Sequence, residues 1–213
     1  MLPIRLSKIK TRTSAEGPGL RYAIWVQGCP IRCKGCFNPH TWDFGGGYLS
    51  DMETVYEDIK RTADSTPDLS GVTFLGGEPF EQAEALSALA EKVQADGLGV
   101  VTFTGYEYDR ILKSANSDAW RKLLRHTDLL IDGPYIERLH DLSRPWVGSK
   151  NQRYRFLTDV YREYETKLEE VPNKLEICLH PDGTVSANGM AGPLDLRMLE
   201  SLMEFDGKAG ENR

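Results

Sequence analysis

The sequence predicts an α/β protein: a parallel sheet with helices packed outside it, followed by a C-terminal β-hairpin and a short helix. Three observations carry that expectation. Short apolar and β-branched runs alternate with amphipathic helical stretches along residues 20–131. Each apolar run ends in a loop of Gly, Thr, Glu or Asp. Beyond residue 160 the pattern changes, from charged sequence to two short runs around a Pro-Asp-Gly turn.

The elements follow in order. Residues 20–27 are aromatic and β-branched and read as a strand running into Gly28. Residues 50–63 read as a helix, with Ser50 as cap, Glu53 three positions later, and Met52, Val55, Tyr56 and Ile59 on one face. Residues 71–75 form a buried strand that stops at Gly76-Gly77, and residues 79–95 a helix with an Ala/Leu stripe. Residues 100–103 are a strand ending at Thr104-Gly105. A helical stretch over 108–125 then leads to a strand at 129–131, which ends at Asp132-Gly133. Residues 161–171 are highly charged and are broken by Pro172-Asn173. Residues 174–179 and 184–188 pair around Pro181-Asp182-Gly183, residues 194–205 form a short amphipathic helix, and residues 206–213 are disordered. The expected division is a core over residues 1–160 and an extension over 161–213.

Strand–helix alternation of this kind implies right-handed crossovers between parallel strands. In open sheets and barrels alike, ligands then gather at the carboxyl ends of the strands. The cysteines after the first strand, Gly76-Gly77-Glu78-Pro79, Thr104-Gly105-Tyr106 and Asp132-Gly133 are expected on one rim.

Composition narrows the function classes. At 213 residues, 40% hydrophobic and 27% charged, the chain matches a soluble globular domain. No apolar run approaches the roughly 18–20 residues of a membrane helix, and residues 1–5 lack the features of a signal peptide. The expectation is a cytoplasmic protein with no membrane association. A net charge of −6 argues against nucleic acid as the ligand.

Three of the four cysteines fall within eight residues, as Cys29-x3-Cys33-x2-Cys36 on a loop after a buried strand. Three clustered thiols in a reducing compartment read as metal ligands rather than disulfides. They can hold three corners of an iron–sulfur cube and leave the fourth iron open, whereas electron-transfer clusters take four cysteines. The competing assignment is structural zinc completed by His40 or Cys178. Gly76-Gly77-Glu78-Pro79 adds glycines that permit close backbone approach, a carboxylate that can accept from an ammonium group, and a proline suited to a first helical turn. By itself that motif is equally a tight strand-to-helix turn. Trp25, Trp42, Trp120 and Trp146 read as packing residues, Cys178 as a small packed residue, and Lys8, Lys10 and Arg12 as a solvated basic face.

Taken together, Cys-x3-Cys-x2-Cys followed by Gly-Gly-Glu-Pro resembles the radical S-adenosylmethionine enzymes. Within them the chain is most similar to the anaerobic ribonucleotide reductase activating proteins, relatives of the pyruvate formate-lyase activating enzymes. Further motifs carry the likeness: Glu16-Gly17-Pro18-Gly19-Leu20-Arg21, Gln27-Gly28-Cys29, the stretch from Cys36 to Trp42, Asp132-Gly133-Pro134-Tyr135, and the stretch from Trp146 to Gln152. The resemblance covers roughly residues 4–157. It implies a small incomplete (β/α) barrel and a [4Fe–4S] cluster on Cys29, Cys33 and Cys36 whose open iron binds S-adenosylmethionine. It places Gly76, Gly77 and Glu78 at the methionyl ammonium, Gly35 and Phe37 beside the adenine, and Thr104, Asp132, Ser149 and Asn151 around the ribose and carboxylate. Gly35 stands where many members of the superfamily have an aromatic residue, a departure shared with the reductase-activating branch. The motif also makes a functional role for Arg21 plausible. The implied partners are a large glycyl-radical enzyme and a one-electron donor such as flavodoxin or ferredoxin. The alternative is a radical enzyme with the same core that modifies a peptide or a small metabolite.

Overall fold

The computed structural model describes residues 2–114 and 118–190. Its strands and helices are β1 (Pro3–Thr13), β2 (Leu20–Val26), β3 (Tyr48–Asp51), α1 (Met52–Asp64), β4 (Leu69–Gly76), α2 (Ala83–Ala95) and β5 (Gly99–Thr104). They continue with α3 (Tyr108–Lys113), α4 (Asp118–Arg125), β6 (Leu129–Asp132), β7 (Arg153–Phe156), β8 (Leu175–Leu179) and β9 (Val185–Gly189). The first seven strands form one sheet in the order β3-β1-β2-β4-β5-β6-β7.

The four middle strands, β2, β4, β5 and β6, are parallel and are the four read from the sequence. Because each crossover steps in the same direction along the sheet, right-handed connections put the helices on one face. There Ile59 of α1, Leu86 and Leu89 of α2, Ile111 of α3 and Leu123 of α4 join Tyr22, Ile24, Phe74 and Val100 in the main core. The other face carries Ala23, Trp25 and Leu75 with Phe103 beside them, and among the described residues α1–α4 pack on the opposite side.

The flanks correct the expectation of an all-parallel incomplete barrel. β1, β3 and β7 pair antiparallel with their neighbours, giving a mixed sheet with β3 and β7 at its edges. β1 has the alternation of a half-buried strand, with Ile4 and Leu6 fully buried, but its interleaved basic residues resemble a solvated face. A register shift between Leu6 and Lys8 breaks the alternation. It puts Ile9 against the main core with Ile4 and Leu6, and turns Lys8 to the opposite face, over the ring of Trp25.

Two helix boundaries also move. Ser50 belongs to β3, paired with Ile4, and the cap position of α1 is Asp51, whose carboxylate accepts from the Leu2 N–H. The stretch predicted as one helix over 108–125 contains α3 and α4, with residues 115–117 outside the described set. Glu78 caps a 3-10 turn (Pro79–Gln82) ahead of α2. Arg21 is fully buried, donating to Thr73 Oγ1, to the Val72 and Gly99 carbonyls and to the Tyr161 hydroxyl. Its position is that of an internal brace between strands.

β8 and β9 form the expected hairpin. It docks on the end of β1 through Glu176, which accepts from Lys10 Nζ at 2.9 Å, Thr13 Oγ1 at 2.7 Å, Ser14 N at 2.6 Å and Ser14 Oγ at 3.0 Å. Asn188 donates to Thr13 Oγ1 and Glu16 Oε1. The helix expected over 194–205 and the disorder expected over 206–213 lie outside the described residues.

Candidate active site

The loop that follows β2 carries the three cysteines. Gly28 enters it with φ 95°, and Phe44 occupies the space where a side chain would stand. Arg32 (φ 51°) and Gly35 (φ 75°) then curl the loop back on itself, and the Cys36 N–H closes a turn on the Cys33 carbonyl. A non-glycine residue in the left-handed region is uncommon and persists where the surrounding structure holds it.

The sulfurs are met by backbone donors. Cys29 receives N–H groups from Ile31 and Arg32, Cys33 one from Tyr135, and Cys36 one from Asn38 at 3.3 Å. Burial pushes the Cys29 and Cys33 thiols upward, with those N–H groups pulling the other way. All three cysteines line one cavity of about 470 Å³ on the sheet face opposite α1–α4. Among the described residues, no three His, Cys, Asp or Glu side chains converge on the geometry of a single metal ion. Tetrahedral zinc needs four donors within roughly 2.0–2.3 Å of one point. Three thiols lining one cavity, with N–H groups at their sulfurs, are a donor set that an iron–sulfur cube can take. His40 lines the cavity with the cysteines, whereas Cys178 does not.

Gly76, Gly77 and Glu78 line the same cavity from the end of β4. The glycines are required by the neighbouring strand. A Cβ on Gly76 would come within 2.7 Å of the Trp25 Cα, and one on Gly77 within 2.4 Å of the Gly28 carbonyl oxygen. Gly77 N–H donates to Val26 and Glu78 N–H to Gly28, fastening the two loops together. The Glu78 side chain is only 1% exposed. It accepts from Phe80 N at 3.0 Å and Thr104 Oγ1 at 2.8 Å on one oxygen, and from Gly105 N at 2.8 Å on the other. Burial dominates and pushes its carboxyl up to about 7, against those three donors.

The predicted site residues divide into two groups. Phe37 and Thr104 line the cavity with the cysteines and the Gly-Gly-Glu turn. Gly35 lies under Tyr135 and Glu137, where an added Cβ would approach to 3.2 and 3.3 Å. Asp132, Ser149 and Asn151 do not line the cavity. Asp132 accepts from Tyr108 N and Arg155 Nε, whereas Ser149 donates to Asn151, which in turn donates to the Pro134 carbonyl. These residues brace the segment that carries Gly133, Tyr135 and Gln152, and those three do line the cavity.

At the other end of the cavity, sequence reasoning offered the hairpin as a substrate wall but missed Lys8, Glu16 and Trp25. Lys8, Glu16 and Trp25 line it from β1, the loop after β1, and β2. Leu175, Ala187, Asn188, Gly189 and Met190 close it from the hairpin and its flank. Trp25 and Trp42 are therefore cavity walls as well as packing residues. The available signal was Lys8 between two aliphatic positions on opposite sides of a bulge, which sequence periodicity alone does not reveal.

Comparison with known proteins gives concordant matches. A family model described as a 4Fe-4S single cluster domain matches residues 15–155. The anaerobic ribonucleoside-triphosphate reductase-activating protein of Haemophilus influenzae is 33% identical over 141 residues, 64% of this chain and 88% of that one. Its counterpart from enterobacteria phage T4 is 33% identical over 148 residues, 68% of this chain and 88% of the relative. The pyruvate formate-lyase-activating enzyme of Clostridium pasteurianum is 31% identical over 129 residues, 60% of this chain and 50% of the relative. The cofactors that go with such a family are a [4Fe–4S] cluster and S-adenosylmethionine. With most of the family-matched segment forming the sheet and its cysteine loop, the chain belongs to the 4Fe–4S single-cluster family of radical S-adenosylmethionine enzymes that activate glycyl-radical enzymes.

Proposed function

We propose that this protein binds S-adenosylmethionine at a cluster held by Cys29, Cys33 and Cys36 and directs the resulting radical to a glycine of a large partner enzyme. Anaerobic ribonucleotide reductase is the leading candidate. The observation that carries this proposal is the convergence of the three cysteines with the Gly76-Gly77-Glu78 turn in one cavity. When bound, the cluster and the cofactor supply the hard chemistry, an electron delivered to the sulfonium and release of methionine and a 5′-deoxyadenosyl radical.

The chain's own residues bind and orient. Glu78 has one oxygen occupied by two donors and the other by one, which leaves it acceptor capacity for a methionyl ammonium. Such a cation favours the ionised carboxylate, reversing the upward push of burial. Thr104 fixes the Glu78 carboxylate and in turn accepts from Tyr106 N. Phe37 stacks edge-on to Tyr135, with ring centroids 5.3 Å apart, and offers a flat apolar wall for an adenine. Trp25, Leu75 and Phe103 floor the cavity and keep water from the reacting atoms.

Among the described residues no helix is long and apolar enough to cross a membrane. We place the protein in the cytoplasm, with flavodoxin or ferredoxin as electron donor. The test is anaerobic incubation with reductant, S-adenosylmethionine and purified anaerobic reductase, followed by paramagnetic resonance. A glycyl-radical doublet on the reductase is expected, and deoxyadenosine production without that doublet would contradict the assignment of the partner. One observation favours the second possibility, a peptide or a small metabolite as substrate. The hairpin, which lies beyond the family-matched residues 15–155, walls one end of the cavity.

A further inference from the structure

We propose that the recess between Lys8, Trp25 and the β8–β9 hairpin binds an anionic group of the substrate, a carboxylate or a phosphate, with the Lys8 ammonium as its counter-ion. The inference rests on the assignment of radical chemistry to this cavity and adds the class of group that the substrate presents there.

The bulge in β1 is what aims Lys8. Without the shift between Leu6 and Lys8 the side chain would share the face of Ile4 and Leu6, against the helices. With it, the ammonium stands 5.3 Å from the centre of the Trp25 ring and lines the cavity that holds the cysteines. Among the described residues Lys8 forms no ion pair, while its neighbour Lys10 is taken up by Glu176 and Asn188 of the hairpin. The nearby acid is Glu16, which is 8% exposed and receives N–H groups from Asn188 and Gly189. Burial raises the Glu16 carboxyl and lowers the Lys8 ammonium, and the attraction between the two acts against both shifts without reversing either.

A partly buried cation without an anion is costly, and binding one recovers that cost. The Trp25 ring faces the ammonium, and Leu175 and Met190 add apolar wall to the same cavity. A ligand with an apolar body and a charged tip matches both features. The hairpin residues lie beyond residues 15–155, so this end of the cavity is built by a part of the chain that the family model does not match.

The test uses full-length, cluster-loaded protein with S-adenosylmethionine already bound and the cluster left oxidised, so that the cofactor's own carboxylate cannot be the occupant. Phenylacetate, phenyl phosphate and the neutral phenylacetamide are titrated by calorimetry. At least one anion is expected to bind about tenfold or more tightly than the amide, the scale of one charge-assisted hydrogen bond. Whichever anion leads names the group. Lys8→Met is expected to bring the anion to the level of the amide, and Lys8→Arg to restore the preference. Equal binding of anion and amide, absence of binding by all three, or an unchanged preference in Lys8→Met would each overturn the proposal. The comparison of anion with amide in the wild type stands even where a variant folds poorly. Iron content and deoxyadenosine yield of the wild type report separately on the radical-chemistry assignment.

Discussion

Two carboxylates, Glu78 in the cavity and Glu176 in the contact that docks the hairpin on β1, have opposite electrostatics. Glu78 is pushed up to about 7, chiefly by burial, whereas an unfolded glutamate ionises near 4.5. In the cofactor-free protein its contribution to stability is fully present below about 4.5 and is lost as pH rises through about 7. An ammonium beside it pairs with the ionised form, so S-adenosylmethionine is expected to bind more tightly above pH 7 than below. Calorimetry across that range checks the sign. Glu78→Ala is expected to weaken cofactor binding by about ten- to a hundredfold, the effect of losing a charge-assisted hydrogen bond of about 1.5–3 kcal/mol, while the cluster spectrum stays intact. Unchanged affinity would remove Glu78 from the cofactor site. Glu176 behaves in the reverse sense. Burial would raise it, but Lys10, the Ser14 N–H and the hydroxyls of Thr13 and Ser14 outweigh burial and bring it down to about 2. Its contribution is present above about 4.5 and fades as pH falls through about 2. Glu176→Gln should therefore speed amide exchange across Leu175–Leu179 and Val185–Gly189 at neutral pH. Exchange rates like those of the wild type would mean that the hairpin is held by other contacts.

At the scale of elements, the hairpin decides what the extension is for. A two-stranded hairpin is marginal alone, and this one is stabilised by docking on β1. Deleting residues 163–213 is expected to preserve cluster assembly and slow uncoupled cleavage of S-adenosylmethionine, because the cysteines and the Gly-Gly-Glu turn sit on the central sheet. Action on the true substrate should fall, since Leu175, Asn188 and Met190 wall the cavity. Circular dichroism and iron content come first, followed by substrate turnover, and turnover at the wild-type rate would make the hairpin a structural cap. The central strands were legible because a fully buried parallel strand reads as a continuous apolar run, as Gly99–Thr104 and Leu129–Asp132 do. β1 and β7 were not. Arg, Lys and Thr interleave the buried residues of β1, and β7 is Arg-Tyr-Arg-Phe with no fully buried position.

For the whole molecule, the sheet brings segments far apart in sequence to one face. Cysteines at 29–36, a carboxylate at 78 and hairpin residues near 188 share a cavity that no local motif describes. The rim was legible from strand ends alone, whereas the cluster was read from the cysteine spacing, with zinc as the competing assignment, and from the resemblance to the radical S-adenosylmethionine enzymes. The supporting layer was not, since Asp132, Ser149 and Asn151 face the brace rather than the cavity, and motif position does not reveal which way a side chain turns. Lys8 stayed hidden because a bulge, a tertiary event, sets its face. The most direct test of cluster-based radical chemistry is anaerobic reconstitution with iron and sulfide, then dithionite and S-adenosylmethionine, measuring iron content and 5′-deoxyadenosine. Wild type and Cys178→Ala are expected to hold iron and form deoxyadenosine, while Cys29→Ala, Cys33→Ala and Cys36→Ala each lose both. Full deoxyadenosine yield in any one of those three, or a wild-type protein that takes zinc and forms none, would contradict it.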